Sequence, residues 1–153
     1  MRIALFQPDI AGNVGTVLRL AACMGVGVDL IEPMGFPWSD RALARAGMDY
    51  AAAAQVTRHV DWDAFVGATT AHTGGRLVLA STSGAVPYTE AAYAPDDVLL
   101  FGSESAGVPA DVHARADLRV RVPMRGGMRS LNVAVSCAMI LGEALRQTDG
   151  WPA

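Results

Sequence analysis

Short apolar runs alternate with longer helical patterns along this 153-residue chain, and that alternation limits its fold more than any other feature. Ile3 to Phe6, Val28 to Ile31, Leu77 to Ala80, Val98 to Phe101 and Leu118 to Val122 read as strands. Gly12 to Met24 reads as a helix ended by Gly25 and Gly27, and Glu32-Pro33-Met34-Gly35 is the turn that closes the second strand. Ser39 is placed to cap a short helix through Ala46, Asp61 to Gly67 begins another, and Ser130 is placed to cap a helix running to about Gln147. The pattern predicts an α/β fold: a mostly parallel sheet with helices on both faces. With no linker, repeat or low-complexity stretch, residues 1–153 read as one domain, long enough to bury a core.

Composition narrows the function classes. Apolar residues make up 52% and charged residues 18%, a balance that predicts some apolar surface hidden in an oligomer. No apolar run is long enough to span a membrane and the N-terminus lacks a signal-peptide layout, so a cytoplasmic protein without a membrane partner is expected. Cys23 and Cys137 fall in apolar helical patterns and read as small hydrophobes with reduced thiols. All 12 basic residues are arginine, which excludes Walker-type phosphate loops, Schiff-base chemistry and Ser-Lys hydrolysis. Ser103-Glu104-Ser105-Ala106-Gly107 nearly imitates a nucleophile elbow, but Ser103 stands where the first glycine belongs. The histidines His59, His72 and His113 are scattered, and no cluster has metal-ligand spacing, so no metal is expected.

Three stretches that follow strands concentrate the remaining polar residues: Asn13-Val14-Gly15-Thr16-Val17-Leu18-Arg19, Phe101 to Pro109, and Val122-Pro123-Met124 with Arg129-Ser130-Leu131-Asn132. Ligands bind at the carboxyl ends of strands in open α/β sheets, so the three predict one composite site. Arg19 is the only charge in a helix that is apolar nearly all round, so it is expected to meet a carboxylate, a phosphate or water at a cleft. Asn13 and Gly15 fit a cap and a close-packing glycine equally well. Arg115, Arg119, Arg121, Arg125 and Arg129 crowd into fifteen positions of a chain with net charge −3, which fits either a polyanion contacted locally or a charge-protected edge strand. The last helix puts Leu131, Val135, Ala138, Gly142 and Leu145 on one stripe, and Val133, Cys137, Ile140 and Leu141 elsewhere. A second helix this apolar predicts a dimer interface.

Together these motifs resemble the three signatures of SPOUT-class RNA ribose 2′-O-methyltransferases. Ile31 to Phe36, Arg45 to Tyr50 and Val56 to His59 place the resemblance among the small enzymes that methylate the wobble nucleotide, cytidine or uridine 34, of tRNA. It covers nearly the whole chain. The resemblance implies a SPOUT-type fold with a C-terminal trefoil knot, against the usual rule for protein chains. It implies S-adenosyl-L-methionine as methyl donor, with S-adenosyl-L-homocysteine as product and no metal. Cofactor contacts would fall at Ala80, Gly102, Val122, Met124, Ser130 and Leu131. Partners would be the tRNA anticodon stem-loop and a second copy, packed through the first and last helices so that Arg19 approaches a shared pocket.

Arg19, Asn13, Glu104, Ser130 and Asn132 would form the catalytic group, with Arg19, Arg121, Arg125 and Arg129 on the RNA. A guanidinium titrates above about 12, so Arg19 reads as a phosphate anchor and electrostatic activator rather than a base. Gly142 stands where some wobble methyltransferases have a tyrosine. A non-catalytic RNA- or nucleotide-binding module of the same fold is the alternative, and it would need only the arginine patch.

Overall fold

The computed structural model describes residues 1–39, 41–42, 50–72 and 74–153. The strands are β1 (Arg2–Phe6), β2 (Gly27–Ile31), β3 (Val56–His59), β4 (Leu77–Ala80), β5 (Val86–Pro87), β6 (Val98–Phe101) and β7 (Leu118–Arg121). The helices are α1 (Ala11–Met24), α2 (Trp62–His72), α3 (Ala110–Arg115) and α4 (Val133–Gln147). Among the described residues the strands form one seven-stranded sheet in the order β3-β2-β1-β6-β4-β7-β5. Every pairing is parallel.

Alternation along the strands divides the core into two layers, because successive side chains leave a strand on opposite faces. Ile3 and Leu5 of β1 join Val14, Val17 and Leu18 of α1 and Cys137, Ile140 and Leu141 of α4. Ala4 and Phe6 join Phe65 of α2 and Val112 of α3 on the other face. Helices therefore cover both faces, as the sequence predicts. The α1 helix stops where Gly25 turns left-handed (φ 68°), a conformation that costs glycine little, and the backbone returns a hydrogen bond from Val26 N–H to the Ala21 carbonyl.

Three elements lie outside the predicted set, and each is short or polar. In β3 only Val56 is apolar and the strand is on the sheet edge. The two-residue β5 contains Pro87, which an edge tolerates because the ring removes only an outward donor. At six residues, α3 is too brief to show a helical period. The arginine-bearing β7 lies between β4 and β5, so it is not a charge-protected edge. Ser39 does accept a hydrogen bond from Ala42 N–H at 3.2 Å, as a cap would, while the rest of that predicted helix to Ala46 lies outside the described residues.

The cap of the last helix differs from the expectation. Ser130 does not cap it. The chain stays extended past Leu131, and Asn132 Oδ1 accepts from Ala134 N–H at 2.9 Å and Val135 N–H at 3.2 Å. Asn13 is likewise not a cap, since it lies in the first turn of α1 behind Ile10. Cys23 is exposed rather than buried, whereas Cys137 is fully buried and its thiol pKa is pushed up by desolvation. In chemical denaturation, Asn132→Ala should cost about 1 kcal/mol of stability, the usual scale of a lost N-cap. Ser130→Ala should leave the unfolding midpoint unchanged within error.

Candidate active site

The carboxyl ends of β4, β6 and β7 open into a cavity of about 620 Å³, a size ordinary for a small-molecule site. Its floor is Phe101, Val120 and Ile140, and its walls are the segments that leave the three strands. Asn13, Ala80, Gly102, Glu104, Val122, Met124, Arg129, Ser130, Leu131 and Asn132 all line it, so ten positions singled out in the sequence meet in one place. Arg19, Arg121 and Arg125 do not line it. Ser81, Thr82 and Ser83 after β4, and His113 of α3, line it too. Sequence reasoning passed over these four because no motif spacing marks them.

The middle wall is a closed loop. Ser103 N–H donates to the Gly107 carbonyl at 3.0 Å and Gly107 N–H returns the bond at 2.9 Å. Gly107 is left-handed (φ 65°), and a Cβ on Gly102 would lie 2.5 Å from its carbonyl carbon. A side chain at position 102 would therefore displace the loop itself, not merely fill the cavity.

A chain of hydrogen bonds ties the wall after β6 and the segment after β7 to the start of α1. The Glu104 carboxylate accepts Asp9 N–H at 2.7 Å on one oxygen and the Asn13 side-chain amide at 3.0 Å on the other. Asn13 Oδ1 in turn accepts the Asn132 side-chain amide at 2.9 Å, and Asn132 Oδ1 holds the start of α4. Asp9 reciprocates: its carboxylate accepts both the hydroxyl and the N–H of Ser105, the latter at 3.0 Å. The Ser105 hydroxyl bond, then the backbone bond, hold the Asp9 pKa below the ordinary aspartate value. Asp9 went unmarked in the sequence because no helical or strand period includes it.

The arginines divide by what they touch. Arg119 donates from Nε to the His113 carbonyl at 2.8 Å, and Arg121 from Nη1 to the carbonyls of Gly84 and Ala85 at 2.9 and 2.6 Å. Both tie loops to the sheet. Arg125 and Arg129 are exposed, and their guanidinium groups have no hydrogen bond or ion pair with a described residue. Arg19, expected to meet a carboxylate, a phosphate or water, is exposed and meets no carboxylate among the described residues. Its helix buries Val14, Val17, Leu18 and Ala21 and turns Arg19 to the other side, with its guanidinium over the Tyr50 ring at 5.3 Å. Among the described residues, no group of three or more His, Cys, Asp or Glu could hold a metal, and no helix is long and apolar enough to cross a membrane.

Comparison with known proteins agrees with this geometry. Residues 1–142 match the model of the SpoU rRNA Methylase family. A tRNA (cytidine(34)-2'-O)-methyltransferase of Beijerinckia indica is 59% identical over 145 residues, covering 95% of this chain and 90% of that protein. A solved structure described as giving insights into 2-OH methylation of C/U34 on tRNA superposes with a TM-score of 0.88 at 40% identity, over 95% of this chain and 94% of that one. A SpoU methyltransferase of Streptomyces viridochromogenes in complex with the cofactor AdoMet superposes at 0.81 with 25% identity, over 96% of this chain and 57% of that one.

Asp9 gives a test of the clamp. A carboxylate whose pKa is depressed by folding contributes stability above its unfolded value of about 3.9, and that contribution fades as pH falls through the lower folded value. Asp9→Asn keeps an acceptor but cannot titrate. Its unfolding free energy should therefore fall less than that of the unchanged protein as pH drops from about 5 to 3. Parallel acid-dependent denaturation curves for the two proteins would contradict the clamp.

Proposed function

This chain belongs to the SpoU rRNA Methylase family, and from that membership and its 59% identity to a tRNA (cytidine(34)-2'-O)-methyltransferase we propose that it transfers a methyl group from S-adenosyl-L-methionine to the ribose 2′-hydroxyl of the wobble nucleotide, cytidine or uridine 34, of tRNA. The observation that carries this reading is the cavity where all three motif loops meet, joined by the Glu104–Asn13–Asn132 chain. A binding module would need only exposed arginines and no such chain.

The cavity suits the proposed donor. Val122, Met124, Leu131 and Ile140 supply apolar surface for an adenine, and the hydroxyls of Ser81, Thr82, Ser83 and Ser130 supply hydrogen bonds for ribose and amino-acid groups. Arg129 is the one arginine at its lining, so a sulfonium there meets little repulsion. When bound, the donor supplies an electrophilic methyl group. The protein's part is to place the 2′-hydroxyl in line with that methyl and to exclude alternatives, the positioning role that dominates such displacements. The 2′-hydroxyl proton passes to an oxygen of an RNA phosphate held beside it by Arg19, whose charge also stabilises the developing alkoxide. The Arg19 guanidinium is too basic to take that proton. Asn13, Glu104 and Asn132 fix the loops, Ser130 faces the nucleotide, and Arg125 and Arg129 meet the anticodon stem-loop. Arg121, already anchored on carbonyls, adds charge to the same surface.

Two further parts of the proposal rest on packing. The solvent-facing side of α1 carries Gly12, Thr16, Arg19 and Cys23, and that of α4 carries Val135 and Met139, 48% and 37% exposed. A twofold mate laid over these helices would cover the apolar groups and bring Arg19, which does not line its own cavity, to the partner's. Placement of β7 between β4 and β5, with Ser81 N–H and Tyr88 N–H donating to the Val120 and Arg121 carbonyls at 2.9 Å, supports the trefoil threading of the C-terminal segment. We read the chain as one such domain working in the cytoplasm, where its tRNA is.

Calorimetry should detect S-adenosyl-L-methionine or S-adenosyl-L-homocysteine binding, and sedimentation should give twice the 16.0 kDa chain mass. Arg19→Ala should lower the single-turnover methylation rate by about 100-fold with cofactor affinity unchanged. Full rate regained by raising tRNA concentration would reduce Arg19 to a binding residue. Arg125→Ala or Arg129→Ala should weaken tRNA binding modestly and lower the salt slope by about one.

A further inference from the structure

Among the described residues, Arg19 is engaged by an aromatic face and by no carboxylate. Arg2, Arg58, Arg76 and Arg146 each pair with a carboxylate, whereas Arg19 pairs with none among the described residues. What it has is the face of Tyr50, 5.3 Å from the guanidinium carbon to the ring centroid. That ring stands on a fixed base. The Tyr50 carbonyl accepts Ala54 N–H at 2.9 Å, Ala54 is wholly buried, and Ala51 packs on the α1 side of the core.

The chemistry of the two possible partners differs. A carboxylate would consume the in-plane donors of the guanidinium, which are the donors a phosphate needs for a bidentate contact. An aromatic face engages the flat side of the cation and leaves the in-plane N–H groups free. Arg58 shows the contrast: it lies over Trp38 at 5.4 Å but is also tied to Glu32, so its donors are already engaged. We propose that Tyr50 is a positioning residue for methyl transfer, its ring holding the Arg19 guanidinium ready for the substrate phosphate. This rests on the reading of Arg19 given above.

The test measures single-turnover methylation at saturating tRNA and S-adenosyl-L-methionine in a double-mutant cycle. Tyr50→Phe keeps the ring and should stay within about twofold of the unchanged protein, while Tyr50→Leu should lose roughly three- to tenfold, the scale of a lost cation–π contact. Cofactor affinity should not change, and the Tyr50→Leu loss should vanish in an Arg19→Ala background. Should Tyr50→Leu fail to fold, as judged by circular dichroism and cofactor binding, Tyr50→Met is read by the same criteria. A series of increasingly fluorinated phenylalanines at position 50 keeps the ring's shape and drains its face of charge, so the rate should fall stepwise. Full rate in Tyr50→Leu, a flat fluorination series, or an undiminished Tyr50→Leu loss in the Arg19→Ala background would each overturn the proposal while leaving the Arg19 role intact. Full rate in Arg19→Ala alone would instead overturn the Arg19 role, and this proposal with it.

Discussion

Both oxygens of the Glu104 carboxylate are taken by donors that follow β1: Asp9 N–H on one and the Asn13 amide on the other. Hydrogen bonds to a charged group are each worth about 1.5–3 kcal/mol, more than a neutral pair, and they fix direction as well as distance. The strands concerned, β1 and β6, are sheet neighbours, but their following segments diverge to α1 on one face and α3 on the other. Such a crevice is where open α/β sheets bind ligands. The shared carboxylate, with Asp9 accepting from Ser105 in return, holds the Ser103–Gly107 wall against the start of α1. Asn13 then extends the tie to Asn132, so the last helix starts where the first one does.

That coupling links the site to the packing of α1 and α4. Their inner faces supply much of one core layer, with Val14, Val17, Leu18, Cys137, Ile140 and Leu141 all at 1% exposure or less. Their outer faces carry small, apolar or lightly polar residues, with Arg19 on α1 and Arg146 near the end of α4. A monomer gains nothing from exposing Val135 and Met139, and burying them returns hydrophobic free energy of about 25 cal/mol per Å². Since Arg19 shares that outer side and stands clear of its own cavity, the proposed dimer would cover the apolar groups and complete the site with the same packing.

The fold was legible where side chains obey a period. The five apolar strands and the two long helices each follow one, and all were found within a residue or so at their ends apart from the start of the last helix. The cap of α4 was misread because Ser130 and Asn132 are both good capping types two positions apart, and only the backbone path decides which lies at the turn. The surroundings of Arg19 were not legible for a related reason. An almost wholly apolar helix looks buried all round, yet the face of α1 with Gly12, Thr16 and Cys23 is exposed in a single chain. The cavity lining at Asn13, Gly102, Glu104 and Ser130 was legible from motif loops after strands. Asp9, Tyr50 and His113 were not, because their roles come from which loops the sheet order brings together.

The division of labour among polar groups follows from these contacts. Arg119 and Arg121 spend donors on carbonyls, Arg2 and Arg76 on the buried carboxylates of Asp29 and Asp97, and Asn13, Glu104 and Asn132 on one another. These groups position the loops and have little left for a substrate. A cavity built mainly from backbone, hydroxyls and apolar side chains suits a ligand that brings its own reactive group, since nothing in it need act as nucleophile. Among the described residues, Arg19, Arg125 and Arg129 are exposed arginines with donors to spare. Cations free at the surface beside a cavity whose Glu104 carboxylate is already engaged fit the proposed reading: charge to hold a phosphate backbone, and a mainly apolar and hydroxyl-lined pocket for the methyl donor.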